Sequence, residues 1–122
     1  MTGPIRWMVV AGGIIGTTGR ALAGASDPGA FPWRTLMVNL VGTALLGFLI
    51  GRVEATPTSS RWIPFIGVGV MGALTTFGTM MVELVDLVGS GAIFVAVTYG
   101  VVSVGAGLAI GLVGLRVGVA GR

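Results

Sequence analysis

Four long apolar stretches, separated by short polar or charged segments, account for most of the chain. The first covers 5–25 and is followed by Asp27-Pro28-Gly29, a turn signal. The second covers 35–51, ends at Arg52 and Glu54, and precedes the polar loop Thr56-Pro57-Thr58-Ser59-Ser60. The third covers 62–83, and the fourth, over 91–115, contains no charge. Each comes close to the roughly 20 residues that carry a helix across a bilayer. The pattern therefore predicts an all-α membrane protein, a single domain of four transmembrane helices over 5–25, 35–51, 62–83 and 91–115. Arg6, an apolar stretch and Ala21-Leu22-Ala23 imitate a secretory signal, but Arg20 before the cleavage-like site and the length of the run favour a membrane passage.

The third run differs from the others. From Gly67 to Thr79 it is rich in Gly and Thr, which predicts a break in the helix. Unwound backbone at membrane depth is stable only where protein or a watery cavity pairs its polar groups, so a break there points to function. The pairs Gly12/Gly16, Gly47/Gly51, Gly107/Gly111 and Gly114/Gly118 are four residues apart, each on one helix face where backbones can approach closely. Close helix packing is the expected role of these pairs.

Composition strengthens the membrane assignment. Only 9% of residues are charged and 54% are hydrophobic, where soluble chains carry about 25% charged residues. Mean hydropathy is +1.02. Seven cations, all Arg, against four acids give +3, and there is no Lys, His or Cys. Schiff-base, imidazole and thiolate chemistry are thereby excluded, and an enzyme is not expected. The arginines are scattered between apolar runs instead of clustered, so nucleic-acid binding is not expected either.

The polar residues inside the runs carry the remaining information. Thr35, Asn39 and Thr43 recur every fourth residue and form one polar stripe on the second helix. An amide such as Asn39 is costly in hydrocarbon unless partnered. From spacing alone, helix-to-helix glue and a pore lining stand level. Tyr99 and Ser103 form a second hydroxyl-bearing row, with Gly107 next in line, and Thr75, Thr76 and Thr79 surround Phe77 on the third helix. Glu83 and Asp86 lie near the end of that run. Asp86 reads as a solvated helix-end charge, whereas Glu83 is placed to face a vestibule. Uncharged donors with an aromatic edge suit a small anion, whereas cation conduction favours acidic rings or carbonyl filters.

Gly12-Gly13-Ile14-Ile15-Gly16 with Arg20, Val38-Asn39-Leu40-Val41-Gly42-Thr43 with Gly47-Phe48, and Gly72-Ala73-Leu74-Thr75-Thr76-Phe77-Gly78-Thr79 with Glu83 together resemble the Fluc fluoride channels, also called the CrcB family. The resemblance covers all four runs in order. It implies a fluoride channel of the plasma (inner) membrane, a multi-pass antiparallel dimer with two fluoride pathways and a structural sodium ion at the broken third helices. By position, Asn39, Thr43, Phe77, Thr79, Tyr99 and Ser103 are similar to the family's fluoride pathway. Arg20 and Glu83 resemble vestibule residues, and Gly72 and Thr75 resemble those whose backbone carbonyls hold sodium.

Three positions depart from the family pattern. Gly78 stands for a serine, Met80 for the second phenylalanine, and Gly107 for a further serine of the fourth helix. Met80 fills space but presents no ring edge. With the termini on one side, Arg6, Arg52, Arg61, Arg116 and Arg122 face Arg20 and Arg34 across the membrane, five against two. That bias favours termini inside and a fixed orientation. Both features imply pairing with a more complete paralogue, with self-pairing as the alternative. A small proton-coupled multidrug transporter would need a membrane carboxylate in the first helix, and no acid precedes Asp27. A noncatalytic assembly protein leaves the Asn39 stripe and the interrupted third run unexplained.

Overall fold

The computed structural model describes residues 3–24, 30–55, 64–75 and 77–121. The turn at 27–29, the loop at 56–60, Arg61, Trp62, Thr76 and Arg122 lie outside the described residues. Described residues form helices α1 (Gly3–Ala23), α2 (Trp33–Ala55), a π-helical segment (Pro64–Met71), and then α3 (Gly72–Leu74), α4 (Phe77–Gly89) and α5 (Ile93–Ala120), with no strand among them. Two of these, α2 and α5, are both long and apolar enough to cross a membrane. α1 carries Arg6 and Arg20 near its two ends.

The helices do not stop at the charges that bounded the apolar runs. α2 continues through Arg52 and Glu54 to Ala55, because long charged side chains are good helix formers and simply carry the helix past the apolar stretch. α4 continues past Glu83 to Gly89 and stops at a Schellman motif. There the Ala92 amide donates to the Leu87 carbonyl at 2.9 Å and the Gly91 amide to the Val88 carbonyl at 3.1 Å. This closure needs Gly91 at φ 83°, a left-handed conformation that side chains disfavour. Glu83 is consequently a mid-helix residue.

The apolar middle region departs most from ideal α-geometry. Pro64–Met71 is π-helical, α3 lasts three residues, and Thr75 is extended at φ −78°, ψ 135°. Both the amide and the hydroxyl of Thr75 donate to the Met71 carbonyl, at 3.0 and 2.8 Å. Gly69 of the π-helical segment lies against α1. A Cβ on Gly12 would come within 2.9 Å of the Gly69 Cα and would overlap the Phe65 carbonyl oxygen.

α2 and α5 pack along each other in parallel. Gly47 faces the Gly111 carbonyl, Gly114 that of Ala44, Gly51 that of Leu115, and Gly118 that of Phe48, so residue numbers rise together on the two helices. A Cβ at any of the four would overlap the facing carbonyl oxygen. Without a hydrophobic drive between helices in lipid, such contact supplies dispersion and close peptide packing. α4 packs on α5 around a core of Leu36, Met80, Leu87, Ala96 and Tyr99. Replacing Gly114 or Gly118 with Val should destabilise the protein by about 1–3 kcal/mol, read by denaturant titration in detergent. Gly105→Ala and Gly107→Ala meet nothing within 4 Å and should stay within about 0.5 kcal/mol of the parent.

Candidate functional site

The parallel register places the start of α2 beside the second turn of α5, where α4 packs on α5 and bonds to α2 through Glu83. Glu83 of α4 is the meeting point. Thr35 Oγ1 donates to Glu83 Oε1 at 2.6 Å, and the Tyr99 hydroxyl donates to Glu83 Oε2 at 2.7 Å. Thr35 is buried and Tyr99 is 0% exposed. Both carboxylate oxygens therefore accept a short bond from a neutral hydroxyl, the charge-assisted type that compensates a carboxylate held away from water. Asp86, three residues on, is exposed, as a solvated helix-end charge would be.

Tyr99 is held from the other side by rings. Phe31, just before α2, meets it edge-on with centroids 5.6 Å apart and planes at 79°. Phe31 also lies 4.5 Å from Trp33, at 42°. Beneath the phenol, Met80 is buried and packs with Leu36, Leu87 and Ala96. The position of the absent second phenylalanine is thus part of the core of this chain, one turn from Glu83.

Deeper along α2, Asn39 and Thr43 follow Thr35 at steps of about 6 Å along the axis. Asn39 is half-buried. The Thr43 hydroxyl donates to the Asn39 backbone carbonyl at 2.7 Å, so its proton is directed into its own helix. On α5, Ser103 lies one turn beyond Tyr99, and its Oγ is buried without a hydrogen-bond partner among the described residues. Phe77 and Thr79 open α4, the ring 71% exposed and Thr79 half-buried. Arg20 is half-buried near the end of α1.

Of the residues singled out in the sequence, the structure brings together Glu83 and Tyr99, with Thr35 as the third member. Phe77 and Arg20 are not in that cluster. Phe31 escaped notice because it lies outside any periodic run. Its signal was the Phe31-Pro32-Trp33 step at a helix start. Gly72 opens the three-residue α3 and Thr75 is its C-cap. No group of three or more acidic, His or Cys side chains that could hold a metal occurs among the described residues, so carbonyl oxygens are the donors on offer there. Hard carbonyl oxygens fit an alkali cation.

The model of the CrcB-like protein family, Camphor Resistance (CrcB), matches residues 7–115. The chain belongs to the CrcB family. Among CrcB relatives, the Fluoride-specific ion channel FluC 1 of Mycobacterium bovis is 42% identical over 104 residues, covering 82% of this chain and 79% of the relative. Two relatives from Streptomyces avermitilis also match. Its Fluoride-specific ion channel FluC 1 is 34% identical over 117 residues, with 91% of this chain and 94% of the relative covered. Its Fluoride-specific ion channel FluC 2 is 40% identical over 92 residues, with 72% and 58% covered.

For this CrcB chain, Thr35→Val leaves one Glu83 oxygen without its donor and should cost about 1–3 kcal/mol of stability. Tyr99→Phe should cost a similar amount, and the double variant should depart from additivity by about 0.5 kcal/mol or more, since both act on one carboxylate. A denaturation cycle in detergent checks this.

Proposed function

We propose that this chain is a subunit of a fluoride-selective channel that lets fluoride leave the cell across the plasma (inner) membrane, a conducting protein and not an enzyme. The observation that carries the proposal is the buried Ser103 hydroxyl, without a hydrogen-bond partner among the described residues and one turn from the Thr35–Glu83–Tyr99 cluster. A buried donor without a partner is costly, and a small, strongly accepting anion relieves that cost. The names of the relatives agree, each being a fluoride-specific ion channel.

On this proposal the chain crosses the bilayer four times, through α1, α2, the stretch 64–89 and α5. Parallel packing of α2 and α5 supports the count, because the chain between them must return to the side from which α2 began. The third crossing is interrupted at Thr75. Fluoride passes along Asn39, Thr79, Ser103 and Tyr99, with the Phe77 edge contributing its positive lobe. Thr43 lines the path by its surface, its proton being engaged by the Asn39 carbonyl. Glu83 stands at the mouth with Arg20, and its two hydroxyl donors are the groups a passing anion competes for. Gly72 and Thr75 carbonyls would hold a structural sodium ion, which would fix the interrupted segment and offset nearby negative charge.

The second subunit is antiparallel, and a paralogue is favoured over self-pairing. The presence of both a FluC 1 and a FluC 2 in Streptomyces avermitilis supports this, as do the absent second phenylalanine at Met80 and the five-to-two arginine bias.

In liposomes, the chain with its paralogue should dissipate a fluoride gradient and leave a chloride gradient nearly intact. Equal fluxes overturn the proposal. Asn39→Asp should stop fluoride flux with assembly preserved, because a carboxylate removes the amide donor and adds charge. Conduction like the parent would reduce Asn39 to helix glue. Labelling of a single introduced Cys near either terminus in intact cells should find one orientation. Both orientations in equal amounts, with full flux from this chain alone, would favour a homodimer.

A further inference from the structure

We propose that Phe31 is a positioning residue that holds the Tyr99 hydroxyl on Glu83, and that the Phe31-Pro32-Trp33 step is a brace fastening this bond to the membrane boundary. For its transport consequence the proposal rests on the channel function above.

The brace begins with backbone chemistry. Proline fixes its own φ and lacks an amide, so it favours a defined corner at a helix start. Here the Trp33 amide donates to the Phe31 carbonyl at 2.8 Å, closing a three-residue turn about Pro32, and the Leu36 amide takes the Pro32 carbonyl at 3.1 Å. Pro32 is among the most buried side chains of the molecule, below 2% exposure. The corner therefore has little freedom to rock. It sends two rings in different directions. Phe31 turns inward onto Tyr99, edge to face, and Trp33 stays 63% exposed at the first position of a membrane-long helix. Indole at that place suits the bilayer boundary, where an apolar body and one N–H donor are both satisfied.

Three rings in series thus connect a membrane-boundary residue to a fully buried phenol. The same short stretch of chain also delivers Thr35, two residues beyond Trp33, to the other carboxylate oxygen. One corner consequently sets both donors of Glu83. A phenol ring can rotate about its Cα–Cβ bond, and its hydroxyl swings through several ångströms when it does. The Phe31 ring, with the Met80 and Ala96 packing below, removes that swing. Leucine at position 31 would keep the apolar contact and lose the ring, whereas tryptophan would keep an aromatic ring there.

The test uses a property of this chain: Tyr99 is its one tyrosine. Labelling tyrosine at the ring carbon bearing oxygen gives a single NMR signal that reports the hydrogen bond of that hydroxyl in purified, detergent-solubilised full chain. Phe31→Leu should move or broaden the signal, Phe31→Trp should restore it, and the elution volume on gel filtration should not change. In liposomes with the paralogue, Phe31→Leu should lower fluoride flux about tenfold, the order that an edge-to-face ring pair is worth, with Phe31→Trp recovering most of it. Phe31→Met provides the same comparison where the leucine variant aggregates. An unmoved tyrosine signal in Phe31→Leu or Phe31→Met overturns the brace whatever the flux. A moved signal in a parent protein that carries no fluoride leaves the brace in place and overturns the channel function instead.

Discussion

Backbone contact between α2 and α5 is the constraint from which the rest of the arrangement follows. Four glycines put peptide against peptide where any side chain would collide, and this admits one register only. A slide by one residue would turn a glycine away and bring a side chain onto a carbonyl. Because the helices run parallel, that register fixes which residues share a depth: Thr35 in the first turn of α2 comes level with Tyr99 in the second turn of α5. The glycines lie about three to five turns away from the polar cluster. Their effect reaches it because helices are stiff rods.

Given the register, Glu83 is the residue whose energetics demand the most. A carboxylate drawn out of water must be met by donors, and here each oxygen is met by a neutral hydroxyl. Together the two bonds hold the carboxylate in one orientation between α2 and α5.

Much of the architecture was legible in the sequence because it rests on two periodicities. Apolar run length located α1, α2 and α5, and the four-residue glycine spacing anticipated the packed faces. The limits were less legible, since charge was read as a stop. Arg52 and Glu54 continue α2, and Glu83 is mid-helix in α4, whereas Gly91 and its Schellman closure end that helix. The π-helical turns over Pro64–Met71 have no periodic signature, being set by the approach of Gly69 to α1. At the site, Thr35, Glu83 and Tyr99 were each visible as polar residues in apolar surroundings, but their convergence was not. It depends on a crossing of three helices that no linear spacing encodes.

The direction of two hydroxyls separates lining from binding. Thr43 and Thr75 both stood in the polar rows of the sequence, yet both donate to a carbonyl one turn earlier in their own segment. Such back-bonding spends the proton on the helix and leaves lone pairs facing outward, so these two threonines offer an acceptor where an anion needs a donor. Ser103 is the opposite case, a buried hydroxyl without an acceptor among the described residues. Position in a polar row is therefore not enough to assign an anion contact. Hydroxyl direction has to be read from the fold, and Ser103, one turn from Tyr99 on α5, is where the described residues leave a buried hydroxyl unengaged.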